Sequence, residues 1–306
     1  MSRAAATPNV GNMLKLSEIT KRFGDRHVLD EVSFDVPHGR LTGFVGANGA
    51  GKTTTMRIVL GLLNHDSGCV SLDGKPLSFD ERHRIGYMPE ERGLYPKMKV
   101  LEQITYLARL RGLSKREARE RSADVLGQLG LDERLDDRIE ALSLGNQQRA
   151  QIAAALVHDP QLLILDEPFS GLDPVAVDTV VRVLEARAQA GAAVLFSSHQ
   201  LDVVERLCDD LVIIADGFVR AHGPRESMRD EHASLRYELI TSGDTGWLRQ
   251  VHGVTVVEFD GGHAIVEVDG VETAQYVLRR AVEEGNVASF APQFPSLAQI
   301  FKEIVS

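Results

Sequence analysis

One glycine-rich stretch of the chain constrains both the local fold and the type of ligand. Residues 46–53 read Gly-Ala-Asn-Gly-Ala-Gly-Lys-Thr and follow the apolar run Leu41–Val45, which predicts a buried strand. The next residues, 54–63, have the spacing of a helix. A strand, a glycine loop and a helix N-terminus in this order form a phosphate-binding loop. The stretch therefore predicts a site for a nucleoside triphosphate.

Two side chains of this loop carry its chemistry. Lys52 is expected to reach the β- and γ-phosphate oxygens, and the hydroxyl of Thr53 is expected to bind Mg²⁺. An ordinary glycine turn between a strand and a helix is the alternative interpretation. We expect the other loop positions to contact the nucleotide as well: Gly46, Ala47, Asn48, Gly49, Ala50, Gly51 and Thr54.

Two carboxylates follow a second apolar run. Residues 162–165 are Leu-Leu-Ile-Leu, a pattern typical of a central parallel strand that is buried on both faces. Asp166 and Glu167 come directly after it. Asp166 is interpreted as a Mg²⁺ ligand through water, and Glu167 as the base that takes a proton from the attacking water. Taken alone, Glu167 is equally well explained as a helix cap.

Three more segments lie in a fixed order around these carboxylates. Residues 142–149, Leu-Ser-Leu-Gly-Asn-Gln-Gln-Arg, open a helical stretch whose N-terminus can bind a phosphate. Asp173 lies in Ser-Gly-Leu-Asp-Pro and fits a helix cap, with Pro174 at the first helical position. His199 follows the apolar run 192–196, where another parallel strand is expected to end, and a purely structural histidine is the alternative.

In this order the segments resemble the ATP-binding cassette (ABC) ATPases, with Walker A, signature, Walker B, D-loop and switch histidine over about residues 14–225. The resemblance implies catalysis by Lys52, Glu167 and His199. It implies that Ser143, Gly145, Asn146 and Asp173 contact nucleotide, that Phe23 stacks on the adenine, and that Thr53, Glu90 and Asp166 bind Mg²⁺. Phe23 fits a core position as well.

Three positions depart from the pattern of this family. Glu90 stands where most cassettes carry glutamine, and it adds a negative charge near the γ-phosphate. In the signature, Leu144 replaces a glycine and Asn146 replaces a glutamine. Ser143 and Gly145 are retained, so we expect the signature to bind phosphate.

Composition limits the other possibilities. The chain has 306 residues and only two cysteines, and so few cysteines favour a reducing cytoplasm. Its net charge of −10 opposes broad binding to nucleic acid. No apolar run approaches the ~20 residues of a membrane helix.

The chain predicts two domains after a short lead-in. Residues 1–12 are expected to be disordered, residues 13–225 to form the α/β P-loop cassette with an antiparallel subdomain and a helical arm, and residues 226–306 to form an accessory domain. The tail has the order βαββαβ with a final helix, which is typical of a ferredoxin-like α+β fold. An accessory packing domain and a ligand sensor are both consistent with it.

Residues 89–98 and the closing Pro-Ser-Leu-Ala-Gln-Ile-Phe resemble the ATPase subunits of bacterial sodium-efflux and drug exporters. The resemblance implies an ATPase that binds ATP and Mg²⁺, pairs with a second copy or a related cassette, and works at the inner face of the membrane with a separate permease. Two other classes remain. A soluble ABC protein of translation or DNA repair typically has two cassettes, long coiled-coil insertions or a basic stripe, and the sequence has none of these. A P-loop GTPase or a small-molecule kinase needs a guanine-reading Asn-Lys-x-Asp or a phosphoacceptor lid, and Asn-Lys-x-Asp is absent from the sequence.

Overall fold

The computed structural model describes residues 12–91, 93–231 and 235–305. Its contacts divide the chain into two units, with the boundary between Arg225 and Glu226. The expected disordered lead-in, residues 1–12, lies outside the described residues apart from Asn12, with which the first strand begins. Every helix in the described ranges is too short or too polar to cross a lipid bilayer.

The first unit contains two sheets and the helices between their strands. In chain order its strands are β1 (Asn12–Phe23), β2 (Arg26–Pro37), β3 (Leu41–Val45), β4 (Ser67–Leu72), β5 (Lys75–Pro76), β6 (Ile85–Met88), β7 (Leu162–Leu165), β8 (Ala193–Ser198), β9 (Asp210–Ala215) and β10 (Phe218–Pro224). The helices are α1 (Lys52–Val59), α2 (Phe79–Arg82), α3 (Val100–Leu110), α4 (Lys115–Gln128), α5 (Leu144–Leu156), α6 (Pro174–Gln189) and α7 (Leu201–Leu207). Two 3₁₀ turns, Asp132–Arg134 and Ile139–Ala141, lie between α4 and α5.

The larger sheet positions the candidate site. Its strand order is β10-β9-β3-β8-β7-β6, and all neighbours except β10 and β9 are parallel. Because β3, β6, β7 and β8 run in the same direction, the segments that follow them meet at one edge of the sheet. The phosphate loop, Glu90, the carboxylate pair and His199 follow these four strands in turn.

The smaller sheet is antiparallel, with the order β2-β1-β4-β5. Its apolar residues and those of β3 and α1 form one core, which includes Leu14, Phe34 and Met56. Asp73 and Gly74 both have positive φ angles in the turn between β4 and β5, which is typical of a tight hairpin turn.

The helical arm differs from the continuous periodicity of its sequence. Residues 100–130 form two helices, because α3 ends at Leu110 and α4 begins at Lys115. Gly112 between them has a φ of 95°, which is a turn conformation that glycine adopts without strain. Ser114 caps α4 by accepting a hydrogen bond from the backbone N–H of Glu117 at 3.3 Å.

The second unit begins within helix α8 (Arg225–Glu231), of which all but the first residue belong to this unit. Its elements are β11 (Arg236–Thr241), a 3₁₀ helix (Gly246–Gln250), β12 (Val254–Asp260), β13 (His263–Val268), α9 (Val271–Glu284), β14 (Val287–Gln293) and α10 (Leu297–Val305). The strands are antiparallel in the order β12-β13-β11-β14, which is the ferredoxin-like arrangement that the sequence predicts. The expected short helix near Trp247 is a 3₁₀ helix of 5 residues, a form that proteins use for such short pieces.

Candidate nucleotide-binding site

A cavity of about 450 Å³ lies at the edge of the larger sheet where the four segments meet. It brings together the two carboxylates, Lys52, Glu90 and Phe23, which the sequence places far apart. Its full lining is Phe23, Arg26, Val28, Asn48, Gly49, Gly51, Lys52, Thr53, Thr54, Glu90, Asp166 and Glu167.

The phosphate loop needs glycine for two different reasons. A side chain on Gly46 would meet the backbone oxygen of Ile214 at 2.5 Å, so only glycine allows the loop to pass this close to β9. Gly51 has a φ of 113°, and it is the N-cap residue directly before α1. Since neither position tolerates a Cβ atom, the loop keeps its backbone N–H groups near the start of α1, where they can bind phosphate oxygens.

Lys52 is the cation at the phosphate end of the cavity. It is 7% exposed, and its ammonium donates to the carbonyl oxygens of Gly46 at 2.6 Å and Ala47 at 3.3 Å. Burial lowers the pKa of Lys52, while the charges of Glu167, Asp166 and Glu90 act in the opposite direction. The three carboxylates therefore act on the same lysine.

Thr53 and Asp166 are joined across the sheet edge. The hydroxyl of Thr53 donates to Oδ2 of Asp166 at 2.8 Å, and the hydroxyl of Ser197 donates to Oδ1 at 2.5 Å. Asp166 is 1% exposed, so these hydrogen bonds compensate for a buried carboxylate. Hydroxyl and carboxylate oxygens are the ligands that Mg²⁺ prefers.

Among the described residues, no three His, Cys, Asp or Glu side chains are grouped closely enough to hold a metal ion by themselves. Mg²⁺ ordinarily uses one or two carboxylates together with phosphate oxygens and water. The pair of Thr53 and Asp166 fits that type of site and not an all-protein metal cage.

Glu167 is held from both its backbone and its side chain. Its backbone N–H donates to the hydroxyl of Ser197 at 2.8 Å, and its Oε2 lies 2.9 Å from Nδ1 of His199. When the carboxylate of Glu167 is ionised it only accepts hydrogen bonds, so in that state this contact requires the hydrogen on Nδ1 of His199. Glu167 has a positive φ of 52°, which is uncommon for a residue with a side chain and is typical of functional sites.

Phe23, the last residue of β1, lines the same cavity. Its side chain is 51% exposed, which argues against a core position, and Nζ of Lys21 lies 5.5 Å from the centre of its ring. Arg26, opposite Phe23 in the hairpin, and Val28 line the cavity with it. Both residues were missed in the sequence, because no motif marks them.

Glu90 follows β6 and lines the cavity with an exposed side chain. The loop around it is tied to α5, because Nε2 of Gln151 donates to the carbonyl oxygens of Pro89 at 2.7 Å and Glu91 at 3.1 Å. Gln148, one turn earlier, donates to the carbonyl oxygens of Glu167 at 3.0 Å and Pro168 at 3.2 Å. Helix α5 therefore contacts both the loop of Glu90 and the segment of Glu167.

The structure does not bring the signature residues into this cavity. Ser143 caps α5 by accepting from the backbone N–H of Asn146 at 3.3 Å, and the side-chain oxygen of Asn146 accepts from Arg149. Leu144 is 58% exposed. Gly145 lies near the D-loop, since a Cβ atom on it would be 3.4 Å from the backbone oxygen of Gly171. None of these residues is part of the cavity lining described above.

Asp173 also lies outside that lining and caps α6, accepting from the backbone N–H of Ala176 at 2.8 Å. Ser197 was missed as a functional candidate, although it contacts both Asp166 and Glu167. The signal was present, because Ser197 and Ser198 are the polar residues that end an otherwise apolar strand and precede His199.

These contacts define a P-loop nucleotide site with two carboxylates and a histidine at its phosphate end. The comparisons with known proteins identify the class more closely. The sequence matches the ABC transporter family over residues 29–170, and it matches the C-terminal domain of DrrA1-3-like ATP-binding proteins over residues 223–305.

Relatives cover the chain almost completely. An ABC transporter ATP-binding protein of Bacillus subtilis, YhaQ, is 38% identical over 96% of this chain and 98% of its own length. The Nod factor export ATP-binding protein I of Bradyrhizobium diazoefficiens is 34% identical over 79% of this chain and 81% of its own length. The dimeric structure of the ABC transporter cassette MJ0796 is 25% identical, with a TM-score of 0.64, over 69% of this chain and 98% of that one.

The chain therefore belongs to the ATP-binding proteins of ABC transporters. It is an ATPase of the cassette type and the nucleotide-binding subunit of a transporter. The resemblance that its motifs suggest is confirmed.

Proposed function

We propose that this chain powers an exporter. Two copies bind two ATP molecules head to tail between them, with Mg²⁺ as cofactor, and a separate membrane permease converts the closing and opening of the dimer into transport. The observation that carries the proposal is the division of the site. The phosphate loop and both carboxylates line one cavity, while the capped N-terminus of α5 lies outside it.

The position of α5 accounts for the need for a second copy. Ser143 and the first backbone N–H groups of α5 form a typical phosphate-binding helix end. The N-terminus of α1 already lies at the cavity of this copy, so a signature helix end that meets the same γ-phosphate would come from a partner. The dimeric structure of the related cassette supports this arrangement, and a dimer with a related cassette is the alternative to a homodimer.

Within the cavity we assign each polar group one task. Lys52 neutralises phosphate charge, Glu167 takes the proton of the attacking water, and His199 orients Glu167 through the hydrogen bond at 2.9 Å. When bound, Mg²⁺ would be held by Thr53, Asp166 and Glu90 and would offset negative charge on the phosphates.

Phe23 would stack on the adenine, because its exposed ring lines the cavity together with the phosphate loop. Gly46, Ala47, Asn48, Gly49, Ala50, Gly51 and Thr54 would surround the phosphates. Ser143, Gly145, Asn146 and Asp173 would act on the ATP of the partner copy.

The permease would dock in an apolar groove of about 680 Å³ beside the Glu90 loop. Tyr95, Pro96, Met98 and Tyr106 line it, and the exposed fractions of the two tyrosine side chains, 60% and 47%, are large for aromatic residues. Tyr95, the first residue of the groove, follows Glu90 by only five residues in the chain. A permease segment in the groove would therefore contact a part of the chain that leads directly to the Glu90 loop.

Export is supported by the similarity to a Nod factor export ATP-binding protein. Such a subunit would be cytoplasmic and held at the inner face of the membrane by its permease. The net charge of −10 opposes the alternative of a nucleic-acid partner.

Two variants test the assignment of the site. Lys52→Ala should abolish ATP binding, because it removes the charge that pairs with the phosphates. Glu167→Gln should retain binding but lower the hydrolysis rate by about 10²–10⁴-fold, since it removes only the group that accepts the proton. Equilibrium binding measures ATP affinity, phosphate release measures hydrolysis, and sedimentation with ATP measures dimer formation.

The Glu167→Gln chain should form an ATP-dependent dimer that persists, whereas the parent dimer should dissociate as ATP is consumed. Hydrolysis at the parent rate in Glu167→Gln would show that another group is the base. A chain that stays monomeric with ATP at all concentrations would contradict the two-copy arrangement.

A further inference from the structure

Glu90 gives the phosphate end of the cavity an excess of negative charge. Three carboxylates line the cavity, from Glu90, Asp166 and Glu167, and Lys52 is the cation that lies among them. Arg26 also lines the cavity, but it lies beside Phe23 at the end of the β1–β2 hairpin. A triphosphate entering with its own negative charges therefore meets an acidic wall.

The three carboxylates differ in how well their charges are compensated. Asp166 accepts hydrogen bonds from Thr53 and Ser197, and Glu167 is bonded to His199. Glu90 has no hydrogen bond or ion pair with any described residue, and its side chain is exposed to the cavity. Its charge is the one that a ligand must compensate.

We propose that Glu90 makes nucleotide binding depend on a divalent cation more strongly than glutamine would at this position. This inference rests on the proposed ATP site and adds a specificity role for one residue. Without a divalent cation, Glu90 repels the phosphate oxygens, whereas a bound cation would offset the negative charges and weaken the repulsion. Because binding is reciprocal, nucleotide must raise the affinity of the site for the cation by the same factor.

The size of the effect follows from Coulomb's law. Two unit charges several ångströms apart near a protein surface change a binding constant by about tenfold. Glu90 is exposed, so added salt should reduce this factor. Neutralising Glu90 should accordingly strengthen nucleotide binding in the absence of a divalent cation, and this gain should be lost with Mg²⁺, for which Glu90 is a proposed ligand.

The experiment compares the full-length parent with Glu90→Gln, which has nearly the same shape and no charge. Isothermal titration with a non-hydrolysable ATP analogue gives Kd in excess EDTA and in excess Mg²⁺ for each chain. In EDTA, Glu90→Gln should bind about tenfold more tightly than the parent, and in Mg²⁺ this advantage should be lost, because glutamine is also the weaker ligand of the cation. The advantage in EDTA should shrink as the NaCl concentration rises.

Glu91→Gln is the matched control, because Glu91 is the next residue and is exposed, but its side chain does not line the cavity. It should behave as the parent in every arm. An equal effect of Glu91→Gln would show a general change in protein charge and would overturn the specific role of Glu90.

Two further outcomes would overturn the inference. If Glu90→Gln matches the parent in EDTA, no repulsion exists. If it binds more weakly in Mg²⁺ and is unchanged in EDTA, Glu90 is only a cation ligand. The proposed ATP site is judged separately, because it fails only if the parent itself does not bind the analogue in Mg²⁺.

Discussion

Replacing Gln151 by leucine should loosen the Glu90 loop without disturbing the rest of the cassette. Gln151 lies on α5, is 4% exposed and donates to two backbone carbonyls of this loop. Leucine is close to glutamine in size but donates no hydrogen bond. The variant therefore removes two contacts while it keeps the helix packing largely intact.

The cost can be estimated from the contacts. Each lost hydrogen bond leaves a carbonyl oxygen, of Pro89 or Glu91, without this donor, and a bond of this kind contributes about 0.5–1.5 kcal/mol. The buried Oε1 of Gln151 has no hydrogen-bond partner, so removing it returns part of that cost. We expect the free energy of unfolding to fall by about 1–2 kcal/mol.

The assay is hydrogen exchange of the backbone around Glu90, together with urea denaturation of the same chain. Gln147→Leu is a matched control on the same helix, because Nε2 of Gln147 also donates to two carbonyls, of Ile139 at 3.1 Å and Leu142 at 3.0 Å. Both variants should lose similar stability. Only Gln151→Leu should speed exchange at Glu90 and Glu91.

Equal protection of the Glu90 loop in the two variants would refute this reasoning. It would mean that the loop is held by its connection to β6 and not by α5. A much larger loss of stability in Gln151→Leu alone would instead show that leucine does not fit the space.

The remaining predictions concern pH and domain organisation. Burial and then the charge of Arg111 lower the pKa of His158 from 6.5 to about 4, so the unfolded chain binds a proton between these pH values that the folded chain does not. The contribution of His158 to stability is therefore full above pH 6.5 and falls toward pH 4. Between pH 7 and pH 5 the free energy of unfolding, measured with urea, should fall by about 2 kcal/mol more in the parent than in His158→Leu. An equal fall in the two chains would refute this. Truncation after Arg225 should leave a folded cassette that binds ATP, as measured by equilibrium binding; loss of affinity in a folded truncation would show that the tail completes the site.

The motifs made the larger sheet and the phosphate end of the site predictable. Apolar runs at 41–45 and 162–165 identify buried strands, and parallel strands deliver their following residues to one edge, so Lys52, Asp166 and Glu167 are expected together. The ferredoxin-like order of the tail followed from alternating segments and from the turn at Gly261 and Gly262. In both cases the information is local in the sequence.

The sequence was less informative where a contact joins distant segments through ordinary residues. The segments that carry Asp166, Glu167 and Glu90 are contacted by Ser197, Gln148 and Gln151. Serine and glutamine occur at many positions where they have no such role. Arg26 and Val28 reach the cavity only because the β1–β2 hairpin folds back beside the phosphate loop. Contacts of this kind depend on the packing of several elements, which periodicity does not describe.

Helix α5 connects the parts of the site that transport must coordinate. Its N-terminus carries the signature residues, Gln148 holds the backbone of Glu167, and Gln151 holds the loop of Glu90. A helix is stiff along its axis, so a shift of α5 would act on the segment of Glu167 and on the loop of Glu90 at once. A permease segment in the neighbouring groove would press on the Glu90 loop and, through Gln151, on α5. Nucleotide and permease would in this way both act on one helix, which gives each a direct means to alter binding of the other.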